Sequence, residues 1–233
     1  MSAPQQLQLQ LISSMATRQL LADLVARFER ASAHRVRLEA VGGVDAARRV
    51  QAGEAFDGVV LAAATIDQLI ASGHVLAGSR VNLVTSGVSV AVRSGAARPD
   101  IGSESAVREA VLAARSVGYS TGPSGVQLVQ LFERWGVAEQ IRDHLVQAPP
   151  GVPVGQLVAQ GQVELGFQQL SELMSLAGID VIGPLPPAIQ ITTTFSAGVA
   201  SASKQPDAVR ELLAFMSAPA VDAIKRDNGM QPA

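Results

Sequence analysis

The stretch GYSTGPSG, residues 118–125, joins a short apolar segment to a helical pattern, and the rest of the chain is organised around it. Residues 116–119 predict a strand, and residues 126–135 predict a helix. The turn between them therefore places hydroxyls and glycines at a helix N-terminus, where backbone N–H groups lack partners and the helix dipole is positive. An anion is the expected occupant. For this stretch taken alone, a capped helix with a tight turn is the alternative.

Individual residues of this turn have the chemistry that an anion site needs. Ser120, Thr121 and Ser124 carry hydroxyls that can donate hydrogen bonds. Gly122 and Gly125 lack side chains, so we expect the backbone to approach a ligand closely at both positions.

A second turn of the same kind lies near the N-terminus. Residues 6–12 alternate Leu with Gln and predict a strand, and Ser13 and Ser14 follow it before a predicted helix over residues 16–33. Capping explains one of the two serines rather than both, so the pair favours a ligand site. Arg18 stands one helical turn further on. A cation there opposes the helix dipole, which leaves open whether Arg18 holds a ligand or is merely exposed.

The order of the elements predicts an α/β fold with two lobes. Strands alternate with helices in the first part of the chain, which is typical of a parallel sheet flanked by helices. A long strand-like run at residues 81–92 and another at residues 189–200 would carry the chain from one lobe to the other and back. The predicted lobes are residues 1–82 with 191–233, and residues 83–190. We expect a ligand cleft between them, at the C-terminal ends of the strands.

Composition excludes several classes of function. The formal net charge of −2 and the aromatic content of 3% argue against nucleic-acid binding. The chain has no cysteine, and its three histidines lack the spacing of metal ligands, so we expect no metal site and no cofactor. No apolar run is long enough to enter a membrane. We expect a monomer.

The first ten residues, MSAPQQLQLQ, lack the charged and apolar regions of a signal peptide. We therefore expect a cytoplasmic protein as the sequence is written, and a periplasmic one if a leader has been removed.

No catalytic constellation stands out, and the catalytic residues are unknown at this stage. Asp57, Glu164 and Glu172 are separate candidates for a general base, and the sequence does not choose among them. Gln168 and Gln169 are expected just after a strand over residues 163–167. We expect both amides to be cleft or surface residues, because a buried amide needs several partners.

Several segments of the sequence resemble segments of one known protein family. FERASAHRVRLEAVGG (residues 28–43), VQAGEAFDGVVLAA (50–63), LIASGHVLAGSRVNLV (69–84), VAQGQVELGFQQLSEL (158–173) and the terminal AFMSAPAVDAIKRDNGMQPA (214–233) are similar to phrases of the molybdate-binding-protein branch of the type II periplasmic solute-binding proteins. The resemblance covers nearly the whole chain. It implies the two-lobed type II periplasmic-binding-protein fold, a small anionic ligand and, if the protein is exported, the membrane subunit of an ABC importer as partner.

The resemblance also implies positions for the ligand contacts. They fall on Ser13 or Ser14, on backbone N–H groups of the turn Gly42-Gly43-Val44, near Pro153-Val154, and on Gln169, where the family has a tyrosine. The family's second hydroxyl and its tyrosine are therefore absent. In their place the chain offers Arg18, the hydroxyls of residues 120–124, Gln168 and Gln169, a set that favours a carboxylate-bearing ligand over molybdate.

Two functions follow from this set. The first is a small-anion binding protein, for an oxyanion or a carboxylate, of the kind that serves ABC importers. The alternative is a cofactor-independent isomerase of a small polycarboxylate on the same fold, because one relative of the family isomerises aconitate. The sequence leaves open whether the protein is an enzyme.

Overall fold

The computed structural model describes residues 6–233, so the first five residues of the predicted first lobe lie outside it. Within this range the strands are β1 (Gln8–Ser14), β2 (Arg35–Val41), β3 (Gly58–Ala62), β4 (Val81–Arg93), β5 (Val117–Tyr119), β6 (Leu145–Gln147), β7 (Leu165–Gln169), β8 (Ile179–Pro184), β9 (Thr192–Val199) and β10 (Gln231–Pro232). The α-helices are α1 (Arg18–Ala31), α2 (Gly43–Gln51), α3 (Ala63–Ala71), α4 (Glu104–Ala113), α5 (Pro123–Arg134), α6 (Val154–Ala159), α7 (Leu170–Leu173), α8 (Pro206–Ser217) and α9 (Asp222–Asp227).

The chain divides into two compact units. Unit 1 comprises the described residues up to Thr85 together with Thr194–Ala233, and unit 2 comprises Ser86–Thr193. The sequence-based boundaries lie a few residues away, after residues 82 and 190. Strands β4 and β9 carry the chain between the units.

Unit 1 is built on a sheet whose centre is parallel. Strand β1 pairs in parallel with β2 on one side and with β3 on the other, and β3 pairs antiparallel with β9. The pairing of Ser14 with Val41 and of Ser13 with Val60 brings the C-terminal ends of β1, β2 and β3 to one edge of the sheet. Helices α2 and α3 begin at this edge, directly after β2 and β3.

Unit 2 repeats the arrangement with a shorter parallel centre. Strand β5 pairs in parallel with β6 and β7, and β4 pairs antiparallel with β7 and β8. The register Gly118–Gly166 and Tyr119–Gln147 again aligns the C-terminal strand ends at one edge. Helix α5 follows β5 there, and α7 follows β7.

The helices pack through apolar faces predicted by their periodicity. Helix α1 buries Leu20, Leu21, Leu24, Val25 and Phe28 on one side, which lie in the main core cluster of unit 1. Helix α5 does the same in unit 2, and Pro123 occupies its first turn, where a missing N–H costs nothing. No helix in the described residues is long and apolar enough to cross a membrane.

The structure corrects the predicted ends of two strands and adds three strands that were not predicted. Strand β1 extends through both serines, and a short 3₁₀ turn over Met15–Thr17 precedes α1. Strand β7 begins at Leu165 and includes both glutamines, which were expected after it. Strands β6, β8 and β10 were not predicted. They are short or irregular, and they become strands through pairing with a neighbour rather than through an alternating pattern of their own.

Candidate functional site

Three buried side-chain atoms among the described residues lack a hydrogen-bond partner, His34 Nδ1, Gln205 Oε1 and Ser14 Oγ, and Ser14 is the one that ends strand β1. Its side chain is 7% exposed, and its Oγ is buried without a hydrogen-bond partner. A Cβ placed on Gly43 would lie 3.7 Å from the Ser14 Cβ, so this hydroxyl group stands beside the first residue of α2. Because a buried hydroxyl without a partner is costly, Ser14 Oγ is a candidate ligand contact.

The N-terminus of α2 supplies further donors next to Ser14. Gly42 precedes the helix and offers no side-chain cap, and its carbonyl accepts from the N–H of Ala46. The N–H groups of Gly43 and Val44 belong to the first turn, which has no intrahelical acceptor. Val44 is exposed, at 66%. An anion at this position would meet backbone donors and the positive end of the helix dipole.

Ser13 and Arg18 have different surroundings from Ser14. Ser13 is fully buried, and its Oγ donates to the carbonyl of Ser14 at 3.2 Å. The hydroxyl of Thr17 donates to the same carbonyl at the same distance. Arg18 begins α1, is exposed, and makes no hydrogen bond or ion pair with another described residue. Its guanidinium group is therefore available to a carboxylate.

In unit 2 the turn between β5 and α5 presents the predicted hydroxyls. Ser120, Thr121 and Gly122 are partly exposed, and Ser124 is buried in the first turn of α5. The three hydroxyl side chains make no hydrogen bond with other described residues, and Gly122 provides no side-chain cap. This turn therefore also combines free hydroxyls with an uncapped helix N-terminus.

Gly125 was expected to let the backbone approach a ligand, but its missing side chain accommodates the backbone of Ser120 instead. A Cβ at this position would lie 1.9 Å from the carbonyl oxygen of Ser120. Its missing side chain makes room for the backbone of the chain itself, and this contact shapes the turn. At Gly122 the nearest atom to such a Cβ is the Ser120 Oγ, at 3.8 Å.

The two glutamines at the end of β7 are buried, each 3% exposed, so the expectation of cleft or surface amides is wrong. The Oε1 of Gln168 accepts from the N–H of Gly155 at 3.2 Å. Val154, the first residue of α6 and a predicted ligand contact, is fully buried beside it. The first-turn N–H of Gly155 is thus occupied by the protein itself.

Gln169 is fully engaged within unit 2. With its amide oriented to satisfy every neighbour, the oxygen accepts from Thr193 Oγ1 at 2.9 Å, and the nitrogen donates to Ser86 Oγ at 2.8 Å and to the Ser86 carbonyl at 3.0 Å. The partners that a buried amide requires are therefore supplied by β4 and β9. This network gives Gln169 a structural role.

Two of the three candidate carboxylates are committed to structure. Asp57 accepts from the N–H of Gln10 at 2.8 Å and from Ser203 Oγ at 2.7 Å. Glu164 lies before β7 and accepts from the backbone N–H of Arg115 at 2.8 Å, which lowers the pKa of its carboxyl group. Both hold distant segments of the chain together.

The third candidate carboxylate, Glu172, has different surroundings from those of Asp57 and Glu164. It lies in α7, just past the C-terminal end of β7, and is only partly exposed. Burial raises the pKa of Glu172 to about 7, against a smaller opposing effect of its hydrogen bond with Gln168. At neutral pH this carboxyl group is therefore available both as an acid and as a base. No local pattern singles it out, because Gln168 lies in β7 and Glu172 in α7.

Within residues 6–233 no three histidine, aspartate or glutamate side chains are grouped so that they could hold a metal ion. The chemistry of both sheet edges rests on hydroxyls, backbone N–H groups, amides and one carboxyl of raised pKa.

Comparison with known proteins identifies the family. Residues 9–231 match the model of the bacterial extracellular solute-binding proteins, and the chain belongs to this family. An aconitate isomerase from a Pseudomonas species is 38% identical over 185 residues, which cover 79% of this chain and 70% of that protein.

Solved structures share the fold. The periplasmic molybdate-binding protein of Azotobacter vinelandii superposes with a TM-score of 0.79 at 19% identity, covering 95% of this chain and 98% of that one. The tungstate ABC transporter structure from Geobacter sulfurreducens gives a TM-score of 0.73 at 15% identity, covering 94% of this chain and 98% of that one. The predicted molybdate-binding-like type II solute-binding fold is thereby confirmed.

Proposed function

We propose that this protein binds a small carboxylate-bearing anion at the C-terminal edges of its parallel strands. The buried, unpartnered hydroxyl of Ser14 beside the uncapped start of α2 carries this proposal. In a protein without a ligand such a hydroxyl is a cost, and an anion held by Ser14 and the first N–H groups of α2 would remove it.

Two features of the chain and one relative favour a carboxylate over a tetrahedral oxyanion. Arg18, exposed and without an ion pair, can grip a carboxylate through two parallel hydrogen bonds. The position where the resemblance places a tyrosine is filled by Gln169, whose amide is used inside unit 2. The aconitate isomerase relative acts, by its name, on a polycarboxylate.

The test is a calorimetric and thermal-shift panel of molybdate, sulfate, cis-aconitate, trans-aconitate and simple dicarboxylates. A ligand at one hundred times its Kd stabilises the folded protein by about 2.7 kcal/mol. A shift with carboxylates is expected. Stabilisation by molybdate or sulfate alone would overturn the carboxylate assignment, and no shift with any anion would overturn the binding function.

Ser14→Ala is the decisive variant. Losing one hydrogen bond to a charged ligand costs about 1.5–3 kcal/mol, so affinity should fall roughly 10- to 150-fold. The stability of the unliganded protein should not fall, because the hydroxyl has no partner to lose.

Ser196→Ala is the matched control. Ser196 is also a buried serine of unit 1, but its Oγ donates to Asn82 Oδ1 at 2.8 Å. This variant should lose about 1 kcal/mol of stability and keep its affinity. The reverse pattern, a destabilised Ser14→Ala protein with unchanged affinity, would contradict the proposal.

If the protein is exported, its partner would be the membrane subunit of an ABC importer, and its place of action the periplasm. A protein retained in the cytoplasm would have to serve a different purpose. Cell fractionation of the native host with an antibody against the protein decides between these locations.

Isomerisation of a small polycarboxylate is the second candidate function. It is favoured by the aconitate isomerase relative and by the raised pKa of Glu172. Incubation with cis- or trans-aconitate in deuterated water, followed by NMR, measures both interconversion and deuterium uptake. Binding with neither would leave the binding function alone.

A further inference from the structure

We propose that Gly43 determines the specificity of the site at Ser14, because the side chain that Gly43 lacks leaves space for the carbon chain of a bound carboxylate. The inference rests on the proposed carboxylate binding and names the feature that selects a ligand longer than one carboxyl group, such as a di- or tricarboxylate. It is carried by the distances around Gly43 and by the unpartnered Ser14 hydroxyl beside it.

The backbone does not require a glycine at position 43. Gly43 is the first residue of α2 and has no positive φ, so L-amino acids with a side chain can adopt its conformation. Other glycines of unit 1 differ in this respect, since their φ angles lie in the left-handed region that favours glycine. They are Gly53, Gly73, Gly78 and Gly229.

Packing does not require a glycine at position 43 either. A Cβ there would lie 3.7 Å from the Ser14 Cβ and 4.0 Å from the Leu61 Cδ2, which are ordinary van der Waals distances. At Gly58 a Cβ would instead lie 2.8 Å from the Leu11 Cδ1, and at Gly198 it would lie 2.6 Å from the Val75 Cγ1. The close packing that explains those two glycines is thus absent at Gly43.

Glycine is also an unfavourable residue for the start of a helix that could hold alanine. It loses more backbone freedom on folding than alanine does, so alanine at position 43 would favour the folded state. A residue that lowers stability without a structural reason is typical of a site where function limits the choice of side chain. We therefore assign the empty space at Gly43 to the ligand.

The surroundings of this space suit the carbon atoms of a ligand. It borders the Ser14 Cβ and the Cδ2 of the buried Leu61. A carboxyl group held by the Ser14 hydroxyl and the first N–H groups of α2 would have room there for its next carbon, against an apolar surface. Asp45 in the same turn has its charge paired, because its Oδ1 accepts from Arg48 Nη2 at 2.9 Å.

The test compares Gly43→Ala with the wild type in NMR titrations with formate, succinate and cis-aconitate. Gly43→Ala should bind the two longer acids at least about 10-fold more weakly, because the added methyl group fills the space, and formate within about threefold of the wild type. Its melting temperature without ligand should equal or exceed that of the wild type. Gln51→Ala, an exposed change at the far end of α2, is the control and should match the wild type throughout.

The outcomes separate this inference from the proposed function. Unchanged affinity of Gly43→Ala for succinate and cis-aconitate would overturn the role of Gly43, while weaker binding by Ser14→Ala would still support carboxylate binding. A lower melting temperature of unliganded Gly43→Ala would also overturn it, since the glycine would then serve the fold. Failure of the wild type to bind any of the three acids would overturn the carboxylate function and this inference with it.

Discussion

Glu164 and Glu172 flank one strand, and their surroundings move their pKa values in opposite directions. Glu164 accepts the backbone N–H and the guanidinium of Arg115, which favour its charged form. Glu172 is removed from water with only a neutral amide beside it, which favours its protonated form. Residue type therefore says little about the role of a carboxylate; its desolvation and its partners decide that role.

This difference predicts how stability depends on pH. The folded-state pKa of Glu172 is raised from an ordinary value of 4.5 to about 7, so between these values the folded protein holds more protons than the unfolded chain. Its contribution to unfolding free energy therefore falls as pH rises through this window, by on the order of 3 kcal/mol. Glu172→Gln should be more stable than the wild type at pH 8 and similar at pH 4.5.

Urea unfolding at pH 4.5, 6, 7 and 8 measures this difference. Glu164→Gln is the control with the opposite sign, because the lowered pKa of Glu164 stabilises the fold at high pH and that gain is lost as pH falls. A gap between wild type and Glu172→Gln that does not grow with pH would show that the Glu172 carboxyl is solvated.

At the scale of one element, the first turn of α5 depends on a close backbone contact between Gly125 and Ser120 rather than on helix propensity alone. Gly125 faces the backbone of Ser120 so closely that the turn and the first helical turn are packed as one unit. Gly122, at the helix N-cap, has room around it. The close packing of this turn therefore requires a glycine at position 125 but not at position 122.

A pair of alanine substitutions tests this distinction. Gly125→Ala should destabilise the protein by about 3 kcal/mol or more, because a Cβ 1.9 Å from the Ser120 carbonyl oxygen forces the backbone to move. Gly122→Ala should cost no more than about 1 kcal/mol, the loss at an N-cap position. Denaturant midpoints of both variants give the answer, and equal costs would show that the turn adapts freely.

At the scale of the whole molecule, the chain passes between its units twice, after Thr85 in β4 and after Thr193 in β9. On the side of unit 2, Gln169 bonds to Ser86 and to Thr193, the first and last residues of that unit. One buried amide thus joins both crossing strands to β7.

Gln169→Leu should therefore destabilise the protein by about 2–4 kcal/mol, since the hydroxyl of Thr193 and the polar groups of Ser86 would be left buried without partners. Gln162→Leu is the control. Gln162 is exposed and bonds to the neighbouring Gln160, so its replacement should change stability by less than about 0.5 kcal/mol. Chemical denaturation of both variants checks the prediction, and a tolerated Gln169→Leu would refute the bridging role.

Local pattern was sufficient for much of this architecture. The alternation at residues 35–41, the amphipathic stripe of α1 and the strand–turn–helix units specify their own conformation, because backbone period and side-chain burial are set within a few residues. The order of these units predicted a mostly parallel α/β fold. The similarity of several sequence segments to those of the molybdate-binding proteins predicted its family. Both predictions are confirmed.

Tertiary structure alone decided which polar groups are free. Ser13 and Ser14 are identical neighbours in sequence, yet only Ser14 is left with a buried, unpartnered hydroxyl. Gln169 is buried because β4 and β9, far away along the chain, supply its partners, and Glu172 differs from Glu164 because the folded chain desolvates it. Whether a polar group finds a hydrogen-bond partner, and how far it is removed from water, depend on residues distant in sequence. No local sequence pattern can therefore predict either property.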